Sequence, residues 1–452
     1  MIMDGIVAIR AAAVAVLLTG FYTGADAETK SVLYKFSLFP SARAMDAPKK
    51  TSDVIYSFTG GSDGDRPAAG FIADGAGNLY STAEGGGVTC YGTSSGCGTV
   101  FKIDDTGHLT GLYSFLGGST DGAIPDGALF LDKAGDLYGT TLMGGVGACT
   151  SGPYSGCGTA FELFPNGSEQ ILHFFAGGND GAEPYGALIP DGNGNLYSMT
   201  YEGGGTSCGG QGCGVVFELS PAGNGSWTET IIHTFAGSPD GGYPNGNLIF
   251  DNAGNLYGTT ALGGDSTYCS GGCGTAFELS PQGNGTWSEQ ILYSFLGDRD
   301  GAAPGSTLVL QNNSLYGTTE QGGGSKKCTG GCGTIFELVP QPNGTWQESI
   351  LHIFAGGKKG SFPGDLTPDG AGNVYGPGTE YEYGSTCGTV FKLAPGNVFT
   401  TLHKFSGFPE DGCMPIGDVF LDNHGNIYGT TFEGGANGGE YSGLGAVYKI
   451  PE

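Results

Sequence analysis

Gly254-Asn255-Leu256-Tyr257-Gly258-Thr259-Thr260 is one copy of a phrase that recurs along the whole chain. Its tyrosine returns at Tyr80, Tyr138, Tyr197, Tyr257, Tyr316, Tyr375 and Tyr428. Two further phrases keep the same step. C-G-T-V-F-E-L places an aromatic ring at Phe101, Phe161, Phe217, Phe277, Phe336, Phe391 and Tyr448. I-L-Y-S-F places Phe58, Phe115, Phe175, Phe235, Phe295, Phe354 and Phe405. Each phrase occurs seven times, and a fixed period of this kind marks one supersecondary unit copied in space.

Working outward from Tyr257, the unit contains four short runs rich in β-favouring residues. Residues 247–251 form the first, and the turn at 252–254 leads into the second at 256–260. A Gly/Cys loop follows, then a third run at 275–279. Asn284-Gly285 supplies a hairpin turn, because both residues accept positive φ, and residues 287–295 complete the unit. No segment has helical periodicity of useful length. Four antiparallel strands repeated seven times predict an all-β, seven-bladed β-propeller. The ends agree. Residues 54–58 are a lone fourth strand, and the last unit stops after its third, at 446–450. One N-terminal strand then completes the C-terminal blade and removes an open sheet edge.

One residue in four of the 452 is Gly (91) or Pro (22), yet 38% hydrophobic content is enough to bury a core. A net charge of −27 repels phosphate backbones and anionic lipid, so nucleic acid and membrane surfaces are excluded as partners. Arg10, the apolar run 11–18 and Ala25-Asp26-Ala27 read as a signal peptide over residues 1–27. Residues 28–52 form an N-terminal arm or an extra outer strand, since residues 32–36 resemble the fourth-strand phrase, and the propeller occupies 53–452. No second apolar stretch reaches membrane length. The expected product is a monomer that is secreted, periplasmic or on the cell surface.

G-N-L-Y-G-T-T, C-G-T-V-F-E-L and L-Y-S-F-x-G-G-x-D-G-x-x-P resemble the GloVer tandem repeat of exported bacterial proteins, over residues 53–450. That resemblance implies a secreted repeat protein and carries no established activity. The alternation of P-x-G-x-L-x-x-D with G-N-L-Y also resembles NHL-type propellers, which bind partners; this likeness is one of fold.

In a four-stranded blade the 2–3 loop and the loop to the next blade share one face. Here those loops are long and variable, whereas the opposite face carries tight D-x-x-G-N and N-G turns, so function is expected on the long-loop face. The 12 cysteines pair within successive 2–3 loops: Cys90/Cys97, Cys149/Cys157, Cys208/Cys213, Cys269/Cys273 and Cys328/Cys332. Cys387 and Cys413 remain and are placed to pair across neighbouring blades. An even count in an exported chain favours disulfides over metal ligation. D-G-x-x-P recurs with Asp63, Asp121, Asp180, Asp240, Asp300 and Asp411, and Lys359 replaces the sixth. These carboxylates are candidates for structural Ca²⁺ at the channel mouth. The turn reading is preferred, because Asp-Gly makes the turn by itself and a ring this wide separates its carboxylates too far to share an ion.

His173, His233, His352 and His403 share a position with Tyr56, Tyr113 and Tyr293, which reads as an outer-strand packing site. Asn166, Asn224, Asn284 and Asn343 head N-G-[S/T] sequons that read as hairpin turns. Glu84, Glu202 and Glu433 sit at one repeated position in different blades, so no catalytic carboxylate pair is indicated. No nucleophile elbow, phosphate loop, H-E-x-x-H or dinucleotide fingerprint occurs. The sixth unit departs furthest from the repeat. Lys358 and Lys359 replace the acidic turn, and Glu380, Tyr381, Glu382 and Tyr383 replace the Gly-rich loop. Together they form a candidate ligand patch for a sugar or peptide. The sequence therefore points to a secreted, noncatalytic binding or surface-interaction module for a glycan or extracellular protein. The alternative is a carbohydrate-active hydrolase or lyase with carboxylates at the channel mouth.

Overall fold

The computed structural model describes residues 52–90, 96–151, 154–379, 387–439 and 442–451. The signal peptide, and the arm apart from Ser52, lie outside the described residues. From Ser52 onward the chain is a single compact unit. Its main strands form seven antiparallel sheets of four or five strands, one per repeat, as the periodicity predicts. The fourth sheet is representative. Gly241–Phe250, Leu256–Gly263, Thr275–Pro281 and Trp287–Ser294 lie side by side in chain order, from the innermost strand to the outermost.

The seventh sheet closes the ring. Gly412–Leu421, Ile427–Gly434 and Ala446–Ile450 are joined on the outer side by Asp53–Ser57 from the far end of the chain. Val54 pairs with Tyr448 and Ser57 with Ala446.

The repeated aromatic phrases explain how blades hold one another. Each fourth-strand Phe packs edge-on against the third-strand aromatic of the next blade. Phe115 meets Phe161 at 5.1 Å, Phe235 meets Phe277 at 5.2 Å and Phe405 meets Tyr448 at 4.9 Å. Phe58, in the closing strand, meets Phe101 at 5.1 Å, so the chain of contacts has no end. These rings are fully or almost fully buried. Such edge-to-face pairs add about 0.5–1.5 kcal/mol each beyond the area they bury.

The C-G and x-P dipeptides form a second clasp. Gly274 lies against Pro304 so closely that a Cβ would come within 2.4 Å of the proline Cδ. Gly98 meets Pro125 and Gly388 meets Pro415 in the same way.

On the tight-turn face an Asp side chain organises the first hairpin. Asp251 Oδ1 accepts from the N–H groups of Ala253 and Asn255, and its other oxygen accepts from the Asn255 amide and the Tyr257 hydroxyl. The D-x-x-G-N-x-Y phrase is thus a turn with its own fastening. The N-G turns behave likewise: Asn284 Oδ1 accepts from the Thr286 N–H and hydroxyl.

All six disulfides pair as the spacing predicts. Cys90–Cys97, Cys149–Cys157, Cys208–Cys213, Cys269–Cys273 and Cys328–Cys332 close their own loops, and Cys387–Cys413 links two blades. No free cysteine occurs among the described residues. The structure buries Cys97 completely and has its carbonyl accept from Ile124 N of the next blade at 2.9 Å. The reason is the following glycine. Gly98 lets Pro125 approach so closely that the backbones of the two blades come within bonding reach. Among the described residues, no helix is long and apolar enough to cross a membrane.

Candidate functional site

The long loops lie together on one face, joined in five blades by backbone bonds between the 2–3 loop and the loop that precedes the same blade. Gly145 N donates to Asp121 O at 2.9 Å, and Gly204 N to Gly178 O at 2.7 Å. Here the innermost strand of every blade begins with a non-glycine residue in the left-handed region. These residues are Arg66, Ile124, Glu183, Tyr243, Ala303, Phe362 and Met414, with φ between 46° and 58°. Left-handed backbone disfavours L-residues, and for β-branched Ile124 it is a genuine outlier.

The cause is the inter-blade bond already met at Cys97. Each N–H must turn sideways to reach the preceding blade, where the carbonyl of the second loop cysteine accepts it. Glu183 N donates to Cys157 O at 2.9 Å, Tyr243 N to Cys213 O at 2.8 Å, and Met414 N to Cys387 O at 2.8 Å. Arg66 follows the seventh blade, whose 2–3 loop has no cysteine, and donates to Leu444 O instead. The backbone is therefore fixed at these seven positions while the side chain changes from blade to blade.

Two acidic groups gather beside this ring at the third blade. Glu183 and Glu202 line a cleft of about 340 Å³ together with Cys149, Thr150 and Gln211. Burial, and then the Glu202 carboxylate, push Glu183 up to about 7. Burial also raises Glu202. The repeat pattern hides this pair, because its members occupy two different positions of one blade. Nearby, Tyr201 stacks on Tyr243 at 4.8 Å and Tyr185 tilts against Tyr201 at 5.4 Å. In the first blade, Arg66 Nε donates to Asp65 Oδ1 at 2.9 Å, and both residues are buried.

A polar girdle runs deeper between the inner strands. Ala187 N donates to Asn247 Oδ1, Asn247 N to Thr307 Oγ1, and Thr307 N to Asp365 Oδ1. Asp418 occupies the space left by Gly70, where a Cβ would stand 1.2 Å from its Oδ1. Burial, then the Asp365 carboxylate, push Asp418 up to about 7.

The structure turns the D-G-x-x-P carboxylates toward the outer strands and away from the channel mouth. Asp63 accepts from the Thr59 N–H and hydroxyl, the Gly61 N–H and the Tyr56 hydroxyl. Asp121 accepts from Leu116 N and Gly122 N, Asp300 from Leu296 N, and Asp411 from Ser406 N. Asp180 and Asp240 accept from Ala176 N and Ala236 N at 2.7 Å each.

Each Asp also meets the Tyr or His of its preceding outer strand, which carries the packing role expected of it: His173 lies edge-on to Phe175 and His233 to Phe235. A third member comes from the next blade, four residues before that blade's own Tyr or His. The Tyr113 hydroxyl donates to Asp121 at 3.1 Å and to Glu169 at 2.9 Å. His173 Nε2 stands 3.3 Å from Asp180 and 3.6 Å from Glu229. His233 Nε2 stands 3.6 Å from Asp240 and 3.5 Å from Glu289. Burial, and then the neighbouring Asp, push Glu229 and Glu289 up to about 9.

Of the sixth-unit patch, Lys359 is exposed and ends the short 3₁₀ turn Gly357–Lys359, which includes Lys358. Glu380, Tyr381, Glu382 and Tyr383 lie outside the described residues. Burial, and then Lys359, push the neighbouring His352 down to about 4.

These features define a closed seven-bladed propeller with a rigid, chemically varied loop face. The family model of the Gloeobacter/Verrucomicrobia repeat matches residues 26–210 and 146–376, and the chain belongs to that family. No curated protein matches it. Solved structures similar to it include a gluconolactonase from Xanthomonas campestris, at 14% identity and TM-score 0.40, covering 72% of this chain and 84% of that one. A Thermus thermophilus protein described as a putative oxidoreductase (glucose dehydrogenase) is 16% identical with TM-score 0.44, covering 75% of this chain and 98% of that one. A luciferin-regenerating enzyme is 14% identical with TM-score 0.39, covering 72% and 90% respectively.

Proposed function

We propose that the protein is a noncatalytic binding module that engages a glycan or an extracellular protein through its long-loop face. The observation that carries this reading is the ring of left-handed residues. Seven backbones are held alike while their side chains run through Arg, Ile, Glu, Tyr, Ala, Phe and Met. Backbone strain held in place by surrounding structure clusters at ligand-facing sites. The opposite face repeats its Asp-Asn turns in blade after blade, as a purely structural face would. Tyr243, half-buried and stacked on the buried Tyr201, offers a ring face for a sugar, and Glu183 and Glu202 in the cleft offer polar partners. Six disulfides fit an oxidising compartment, which supports export through the N-terminal signal.

A glycan array read with wild type and with a Tyr243→Ala variant tests the proposal. Capture of a glycan by the wild type and its loss in the variant supports it. Equal capture by both sets the loop face aside.

The Glu183–Glu202 cleft favours a second reading, glycan hydrolysis or lysis, because one carboxyl near 7 beside another is an acid/base arrangement. Release of reducing ends from a polysaccharide, abolished by Glu183→Gln, would establish it in place of the first.

A further inference from the structure

We infer that the chain holds two divalent-metal sites of the Zn²⁺ class, one at His173, Asp180 and Glu229 and one at His233, Asp240 and Glu289, each tying two neighbouring blades together. In each cluster the ligating atoms all lie within 4.8 Å of one another. The first site draws His173 from the outer strand Glu169–Phe174, Asp180 from the loop that follows, and Glu229 from the outer strand Ser226–Thr234 of the next blade. The second repeats this one blade on, with Glu289 from Trp287–Ser294.

The separations are those of ligands around an ion. Tetrahedral Zn²⁺ with bonds of about 2.0–2.1 Å holds its ligand atoms roughly 3.3–3.4 Å apart. The imidazole-to-carboxylate distances here run from 3.3 to 3.6 Å. Most of these exceed an ordinary hydrogen bond. A second observation is independent of spacing. His233 Nε2, Asp240 Oδ1 and Glu289 Oε1 are all buried from water with no hydrogen-bond partner, and so is Oε1 of Glu229, whose side chain is only 10% exposed. Buried polar atoms without partners are costly, and three of them facing one another call for a shared ligand. One imidazole and two carboxylates suit Zn²⁺ or a similar transition ion, with a fourth position left for water. Ca²⁺ and Mg²⁺ prefer all-oxygen shells.

The other blade junctions provide an internal control. Where Tyr113 or Tyr293 replaces His, the hydroxyl donates to the carboxylates and no ligating nitrogen is present. His403 keeps Asp411, at 3.0 Å, but faces the Ser52 hydroxyl, at 3.1 Å, where the others have Glu. His352 has Lys359 for its Asp and stacks on Phe399 at 3.7 Å. Only the two complete clusters bring together three ligands among the described residues.

The test uses the full mature chain, stripped with EDTA, then titrated calorimetrically with Zn²⁺ and assayed for metal after desalting. Two ions per chain are expected. His173→Tyr and His233→Tyr should each remove one, and the double variant both. Tyr is what blades one and four already hold at this place, as Tyr113 and Tyr293, so these variants keep a native arrangement, verified by unchanged circular dichroism. Zn²⁺ should raise the melting temperature of the wild type and leave that of the double variant unmoved. A tenfold excess of Ca²⁺ should not displace the bound Zn²⁺. Fewer than two ions in the wild type, retention of two by the double variant, or displacement by Ca²⁺ would overturn the assignment.

Discussion

Gly445 lies against Pro67, two residues separated by almost the whole propeller sequence, and a Cβ on Gly445 would stand 2.5 Å from the proline Cδ. This contact seals the junction between the last blade and the first. Gly445 also has φ +90°, which disfavours any other residue. Gly445→Ala should therefore destabilise the fold by about 1–3 kcal/mol or more, the range for forced overpacking. Gly192→Ala is the control, because nothing lies within 4 Å of its added Cβ and no positive φ is required there. Denaturant midpoints should separate the two variants clearly; equal midpoints would remove the clasp from the account.

The disulfides should differ in value. Cys387–Cys413 spans 26 residues and links two blades, whereas Cys269–Cys273 and Cys328–Cys332 span 4. Chain-entropy reasoning gives about 3.5 kcal/mol for the long loop and about 2 for the short ones. Paired Cys→Ser variants, compared by urea unfolding, should follow that order. Mass spectrometry of unreduced peptides should find no free thiol.

Acid should favour the girdle. Asp418 is pushed up to about 7 from an ordinary 3.8, and Glu183 to about 7 from 4.5. Between those values the folded chain keeps protons that the unfolded chain has released. Their contribution is thus complete below about pH 4 and is lost as pH rises through 7. Asp418→Asn should raise stability at pH 8 and leave it nearly unchanged at pH 4. A variant that gains nothing at pH 8 would show that the carboxyl is not held protonated.

His352 should act in the opposite sense. Its imidazole is pushed down to about 4 from 6.5. The unfolded chain takes up the proton first, so stability falls as pH drops from 6.5 through 4. His352→Phe should lessen that loss, as read from melting temperatures at pH 7 and pH 4.5.

The ring was legible because its causes are local and repeated. Turn residues such as Asn284-Gly285, the aromatic slots at Phe235 and Phe277, and the cysteine spacings each carry their own physics within a few residues. What escaped was the physics between blades. The left-handed positions are hidden because their residues, Ile124 and Tyr243 among them, give no hint of positive φ. For the same reason the carbonyl of Cys97 could not be foreseen as the acceptor that holds Ile124. The glutamates that complete the His and Tyr clusters sit 56 residues beyond their partners, as Glu229 does from His173. Their recurrence four residues before the Tyr/His slot was a signal that could have been noticed. The Asp side chains were expected at the channel mouth. Their turns rotate them outward instead, because the nearest donors are their own backbone and the outer strand.

The closing strand also sets how the molecule resists force. Asp53 pairs with Lys449, next to Ile450, so the two extremities of the ring emerge at the same end of an antiparallel ladder. Tension applied there would load those bonds singly, like a zipper drawn from its open end, rather than all together in shear. A propeller hung between two anchors would yield first at this seam, at low force, with the other six sheets still folded.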